Sequence, residues 1–223
     1  MDDQVFGYDV KNTWNYENGF YLTSHVSRLA KAITHWELYK QIIDKPGAIV
    51  EVGTFKGASL IRFLTFREIC ESQTSRKVIS FDTFGKFPRT GRVEDDTFIQ
   101  DFEMAGGHGI SKDELDKVIK LKNMQNYELV EGNIFNTVEA YLKKNDSLKI
   151  ALLHIDVDVY DATLFSIEKF YERVTRGGVI IFDDYNAVEG ATRAIDEFML
   201  INKIDAPIRK LGFGSVPSFM IKE

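Results

Sequence analysis

The chain has 223 residues, room for one sizeable α/β domain. Hydrophobic residues make up 44% and aromatics 13%, with only 16 glycines and 4 prolines, so a disordered or fibrous chain is excluded and a packed core is expected. A net charge of −6 repels polyanions and leaves no basic stripe for a phosphate backbone, so nucleic acid is not an expected partner. The longest uncharged apolar run, Gly177 to Phe182, is far short of the roughly 18 residues of a membrane span. Met1-Asp2-Asp3 does not begin a signal peptide, and the expected location is cytoplasmic. The single Cys70 has no internal disulfide partner, and no Cys/His cluster shows zinc spacing.

No repeat, low-complexity tract or linker marks a boundary, so residues 1–223 are expected to form a single domain. Residues 1–21 are polar and aromatic and read as an arm packing over the body or, in a homodimer, on a second subunit; with the helix that follows they form an N-terminal unit, 1–46. That helix is expected from Thr23 or Ser24 to about Ile43, closed by Pro46-Gly47. Ala48 to Gly53 is a short apolar strand, followed by a helix to about Cys70, and Lys77 to Asp82 is a second strand. The polar, glycine-containing stretch 83–110 reads as a functional loop on the acceptor side. Ser111-Lys-Asp-Glu114 fits a capping box opening a helix to about Lys122. Strands at 127–131, 149–156 and 178–183 then alternate with helices at 137–144, 162–173 and 188–201. The runs 208–212 and 216–221 are too close for a parallel crossover and form an antiparallel pair. The sum is an open, mostly parallel seven-stranded sheet with helices on both faces and a C-terminal antiparallel hairpin.

Ligands of such sheets sit beyond the carboxyl ends of the strands. Those ends carry Glu51, Asp82, Asp156 with Asp158 just beyond, and Asp183 with Asp184. Glu51-Val-Gly-Thr-Phe-Lys-Gly57 is a strand-to-helix turn; taken alone, its glycines serve tight packing as readily as a ligand. Asp82 can accept both ribose hydroxyls of a nucleoside. Acids converging at adjacent strand ends repel one another unless a cation or proton sits between them, and an all-oxygen set suits Mg²⁺, Mn²⁺ or Ca²⁺ rather than zinc. His154, inside a central strand, reads as a satisfied core residue.

The runs Leu153-His-Ile-Asp-Val-Asp-Val-Tyr160, Gly177-Gly-Val-Ile-Ile-Phe-Asp-Asp-Tyr185 and Gly190-Ala-Thr-Arg-Ala-Ile-Asp-Glu-Phe198 closely resemble the TylF/MycF/NovP family of metal-dependent sugar O-methyltransferases. Glu51 to Ser59 and Phe81-Asp-Thr-Phe-Gly-Lys-Phe-Pro88 look like its other landmarks, and the resemblance covers roughly residues 47–200. It implies a Rossmann-like class I methyltransferase fold using S-adenosylmethionine. Glu51, Gly53, Thr54, Gly57 and Ser59 would hold the methionine portion, Asp82 the ribose, and Gly132-Asn133 would lie beside adenine. Asp156, Asp183 and Asp184 match the metal ligands, with Mg²⁺ the expected ion. Asp158, or else His108 in the 83–110 loop, matches the base. The implied reaction is methyl transfer to a sugar hydroxyl, of a capsule, lipopolysaccharide or antibiotic sugar, with the metal chelating neighbouring hydroxyls. A catechol-type O-methyltransferase and a non-catalytic nucleotide-binding module are the competing readings.

Overall fold

The computed structural model describes residues 4–223; Met1-Asp2-Asp3, on which the signal-peptide expectation rests, lies outside the described residues. Strands β1 (Gln4–Val5) and β2 (Tyr8–Asp9) form a small hairpin, followed by helices α1 (Thr13–Thr23) and α2 (Val26–Lys40). Alternating units then run β3 (Ala48–Val52), α3 (Ala58–Cys70), β4 (Val78–Asp82), α4 (Val93–Gly106), α5 (Lys112–Leu121) and β5 (Tyr127–Glu131). They continue through α6 (Ile134–Lys144), β6 (Ile150–Ile155), α7 (Tyr160–Phe170), β7 (Val174–Phe182) and α8 (Glu189–Ile201) to β8 (Arg209–Lys210) and β9 (Ser218–Ile221).

Among the described residues the main sheet has seven strands, ordered β5-β4-β3-β6-β7-β9-β8. The first five are parallel; β9 runs antiparallel to both β7 and β8. Strand order reverses between β3 and β6, which opens a crevice beyond their carboxyl ends. Successive side chains of a strand point to opposite faces, and this alternation divides the core in two. Val50, Val52, Leu153, Ile155, Ile180 and Phe182 meet Val138, Ile167 and Ile195 of α6, α7 and α8. Ile49, Leu152, Val179 and Ile181 meet Leu38, Phe63 and Leu115 of α2, α3 and α5. Each fully buried side chain of this size contributes about 1.5–3 kcal/mol, so the sheet's position between the helix layers is strongly determined.

Several local expectations are corrected. The stretch 83–110 is not a simple loop: α4 occupies its second half, because Phe98, Ile99 and Phe102 form an apolar face that buries Ile99. The N-terminal helix is interrupted at Ser24 and His25. Ser24 ends α1 by donating its hydroxyl to the Phe20 carbonyl, and His25 caps α2 through Nδ1, which accepts from the Ser27 N–H. The arm touches the body through its hairpin, where the Phe6 N–H donates to the Glu114 carboxylate. Helix α1 has no buried residue, and Trp14, Tyr21 and Leu22 remain exposed. Engaged by Phe6, Glu114 supplies only half of the expected capping box: Ser111 Oγ accepts from the Glu114 N–H at 3.3 Å without the reciprocal bond. Helix α6 begins at Ile134, earlier than expected, because Asn133 Oδ1 accepts from the Phe135 N–H and caps it. No helix among the described residues is long and apolar enough to cross a membrane.

Candidate active site

A polar row crosses three adjacent strands on the face covered by α2 and α3. Register pairs Glu51 with Ser80 on one side and with His154 on the other. Ser80 Oγ donates to Glu51 Oε2 at 3.1 Å, and Glu51 Oε1 lies 3.2 Å from His154 Nδ1. The far ring nitrogen, Nε2, lies 3.2 Å from Asp183 Oδ1. Lys31 of α2 donates to Asp183 Oδ2 at 2.5 Å. Glu51 and His154 are wholly buried and Asp183 nearly so. Burial opposes charge on His154, but the hydrogen bonds to Asp183 and Glu51 outweigh it and raise its pKa to about 10. Against the same desolvation, His154 and Lys31 hold Asp183 below the usual carboxylate range. The expectation that His154 is a satisfied core residue is met by this pairing.

The second group is acidic. Ligand oxygens of Asp156, Asp158 and Asp184 come within 4.8 Å of one another. Asp183, expected among the metal ligands, is not in this group. Its N–H still donates to the Ile155 carbonyl at 3.0 Å, which extends the strand pairing by one residue. The alternation of an extended chain sends Asp183 towards α2, into the histidine row, while Asp184 accepts the Asp158 N–H at 3.2 Å. Asp158, expected as a base, takes the third place. It sits at φ 59°, a left-handed conformation that Asp tolerates better than most residues. Burial first, then repulsion from Asp183 and Asp184, raises Asp156 well above the normal range; burial, Asp158 and Asp183 do the same to Asp184. Burial with Asp156 and Asp183 pushes Asp158 to about 8. Three oxygen-only side chains whose burial and mutual repulsion disfavour their charged forms are the donor chemistry a hard divalent cation relieves, so these residues fit such an ion.

The turn after β3 borders the same crevice. Gly53, at φ +91°, is where it is because a Cβ there would meet the Asp156 carbonyl oxygen at 1.7 Å. Gly57, at φ +80°, would meet Leu115 Cδ1 at 2.7 Å. Both glycines therefore face protein rather than an open cradle. Asp82 anchors the turn: Oδ2 accepts from the N–H groups of Thr54 (2.6 Å) and Phe55 (3.1 Å), and Oδ1 from Phe84 N–H (2.6 Å). The Thr54 hydroxyl pairs with Ser80 Oγ, and Ser59 is buried in the first turn of α3. Gly132 has φ +131° beside Thr137, and the Asn133 side chain is spent on its cap. Glu51 is wholly buried in the histidine row, partnered by Ser80 and His154. His108 Nδ1 is 3.3 Å from Glu103 Oε1, half exposed, and makes no ion pair with the acidic group. Stretch 83–110 packs on the turn instead: Phe55 meets Phe102 at 5.0 Å between ring centroids, and the Ile110 N–H donates to the Phe55 carbonyl.

Sequence reasoning missed Lys31, His35 and Arg62. Lys31 and His35 lie one turn apart on α2, in line with the buried Leu38 and Ile42, so a lysine opening an apolar helical stripe was the available signal. Opposed by burial but favoured by Asp156 and Asp183, Lys31 is held protonated above its ordinary range. Burial, then His154, keeps His35 well below its ordinary value. Arg62 of α3 is partly buried near Asp183, Glu51 and Asp156, with no hydrogen bond or ion pair among the described residues.

A parallel sheet reversing at β3/β6, an antiparallel β9 and acids at the strand ends define a class I methyltransferase fold. The chain matches the family described as Macrocin-O-methyltransferase (TylF) over residues 27–216. It is 25% identical over 172 residues to the 8-demethyl-8-(2,3-dimethoxy-alpha-L-rhamnosyl)-tetracenomycin-C 4'-O-methyltransferase of Streptomyces olivaceus, covering 74% of this chain and 63% of that protein. It is 27% identical over 161 residues to the demethyldecarbamoylnovobiocin O-methyltransferase of Streptomyces niveus, covering 69% of this chain and 58% of that protein. The match thus spans less than two thirds of the length of both curated relatives. The apo structure of CalS11, a TDP-rhamnose 3'-O-methyltransferase of calicheamicin biosynthesis, superposes with a TM-score of 0.67 at 25% identity, covering 94% of this chain and 86% of that one. The chain belongs to the TylF family of S-adenosylmethionine-dependent O-methyltransferases.

Proposed function

We propose that this protein transfers a methyl group from S-adenosylmethionine to a hydroxyl of a sugar or sugar conjugate, aided by Mg²⁺. The observation that carries the reading is the convergence of Asp156, Asp158 and Asp184 at the strand ends beside the Gly53 turn. When bound, the cofactor supplies an electrophilic methyl group, and the divalent ion supplies positive charge that acidifies and orients neighbouring hydroxyls.

The chain's own residues do the rest. Asp156 and Asp184 would hold the ion on rigid strand ends, with Asp158 beside them as the base, and Lys31 offsets part of their charge while the ion is absent. A carboxylate oxygen of Asp158 accepts the proton of the reacting hydroxyl, the step general-base catalysis requires. Thr54, Ser59 and the turn at Gly53 and Gly57 border the methionine portion, with Arg62 as the unpaired cation for its carboxylate. Asp82 and the Gly132-Asn133 turn border the nucleoside, with Asp82 sharing its oxygens between the turn N–H groups and the ribose. Two relatives' names specify the 4'-position of a 2,3-dimethoxy-rhamnosyl compound and the 3'-position of TDP-rhamnose, which supports a sugar hydroxyl as acceptor. His108 is left as a surface partner of Glu103.

Methyl transfer to a panel of nucleotide and glycoside sugars, followed as product mass, tests the reading. Asp158→Asn is expected to lower kcat by about 10²-fold or more, the usual scale for a lost general base, while His108→Ala stays within a few-fold. Full activity in excess chelator, or equal losses in the two variants, would overturn the assignment.

A further inference from the structure

Side chains from two other helices converge on Tyr160, two residues after Asp158. The guanidinium carbons of Arg92, at the start of α4, and Arg193 of α8 lie 4.8 and 4.6 Å from its ring centroid. Its hydroxyl donates to the Glu197 carboxylate of α8. Arg92 also donates twice to Asp161, at 2.9 and 2.8 Å.

The backbone of Tyr160 is held as well. It opens α7, whose N-cap residue, Val159, has no side-chain oxygen to accept from the first-turn N–H groups. Asp95 of α4 takes that place from a distant part of the chain. Burial raises the pKa of its carboxyl, opposed by Arg92 and by a hydrogen bond from the Tyr160 N–H. Asp95 is only 7% exposed, and its Oδ2 has no hydrogen-bond partner among the described residues. A carboxylate buried with one oxygen unsatisfied is costly, so fold stability alone does not account for it. Gly190 of α8 leaves room for the contact: a Cβ there would meet the Tyr160 nitrogen at 3.0 Å and Asp95 Oδ1 at 3.2 Å.

We propose that Asp95 is a positioning residue for the base Asp158, acting through Tyr160, with Gly190 as the space that lets the contact form. The proposal rests on the assignment of Asp158 as the base. Asp158 stands at φ 59° in a tight turn, where the Val159 N–H donates to the Val157 carbonyl at 2.6 Å and the Asp158 N–H to Asp184 Oδ2 at 3.2 Å. Holding the Tyr160 N–H fixes the far end of that turn, and a reacting group displaced by about 1 Å can lose about 10²-fold in rate. The same contact ties the base to the stretch 83–110, which packs on the turn after β3.

The test combines steady-state kinetics with amide hydrogen exchange on the full chain. Asp95→Ala is expected to lower kcat about 10- to 10²-fold at unchanged KM for S-adenosylmethionine, and to speed exchange at both Tyr160 and Asp158. Asp95→Asn keeps an acceptor oxygen for the Tyr160 N–H and should hold both readouts within a few-fold of the unaltered protein. Gly190→Ala favours the helix while crowding the contact, so kcat should fall several-fold without a lower melting temperature. This variant decides if Asp95→Ala fails to fold. In an Asp158→Asn background, Asp95→Ala should add almost nothing, because both changes act on one group. Losses that multiply in the double variant overturn the positioning role, as does an Asp95→Ala protein that melts lower but keeps its kcat and its exchange at Asp158. Full activity of Asp158→Asn by itself instead overturns the base assignment, and that single variant tells the two failures apart.

Discussion

Gly53→Ala separates a glycine that serves packing from one that serves a ligand. A Cβ at this position would meet the Asp156 carbonyl oxygen at 1.7 Å and the carbonyl carbon at 2.6 Å, both backbone atoms. Gly53 also donates its N–H to the Phe81 carbonyl, and the Asp156 N–H donates to the Val52 carbonyl, each at 2.9 Å, so neither strand end is free to move alone. Overpacking of this kind costs about 1–3 kcal/mol. Forcing a side chain to φ +91° adds about 1–2 kcal/mol. The sum is about 2–5 kcal/mol, and at about 2–4 °C per kcal/mol for a chain of this size the melting temperature should fall by about 4–20 °C. Because the displaced atom belongs to Asp156, Mg²⁺ affinity should fall with it. Gly57→Ala is the internal comparison: its Cβ meets the flexible end of Leu115, so the cost is the backbone strain of about 1–2 kcal/mol and Mg²⁺ binding is kept. Thermal melting and calorimetric Mg²⁺ titration of both variants give the answer. A Gly53→Ala protein that melts with the wild type and binds Mg²⁺ normally, losing only cofactor affinity, would refute the packing argument.

Three further outcomes are expected. In chelator-treated protein the folded-state pKa values of Asp156, Asp158 and Asp184 lie above their unfolded values; the stability they contribute is present below about pH 4 and lost as pH rises, through about 8 for Asp158. Stabilisation by Mg²⁺ should therefore grow between about pH 5 and 8 with release of protons, read from melting series and from calorimetry in two buffers; a pH-independent Mg²⁺ effect would count against the acidic group as the site. Lys31→Met removes a cation that competes with the metal, so Mg²⁺ should bind several-fold more tightly while the metal-free protein loses up to about 3 kcal/mol, with His154 still partnering Asp183. Unchanged affinity would mean Lys31 is not coupled to the ion. Ser111→Ala should cost about 1 kcal/mol by removing the α5 cap, whereas Glu114→Ala should chiefly speed hydrogen exchange at Phe6 in the arm; protection of Phe6 that survives Glu114→Ala would show that another contact holds the hairpin.

The architecture was legible in the residues because its signals are local. Apolar runs of strand length, helical stretches between them and the short gap before Val216 each act within a few residues, and together they require the parallel sheet and its antiparallel end. The acids at the strand ends were legible for the same reason, since a strand stops where its apolar run stops. Helix α4 was hidden because its apolar face is narrow, set among acidic residues and flanked by Gly91, Gly106 and Gly107. What no local pattern contains is the direction each strand-end acid takes and what waits there. Asp183 and Asp184 are neighbours in sequence, yet alternation across the sheet gives one to a histidine row and the other to the metal-type acids. The row needs Glu51, Ser80 and His154 in register on three strands, closed by Lys31 and His35 from a helix far away in the chain. Gly53 likewise shows its purpose only where β3 and β6 lie side by side. The sequence by itself determines which elements form and which carboxylates end them. Only the tertiary structure decides which carboxylates share a cation, because that depends on register and on which helix covers each face.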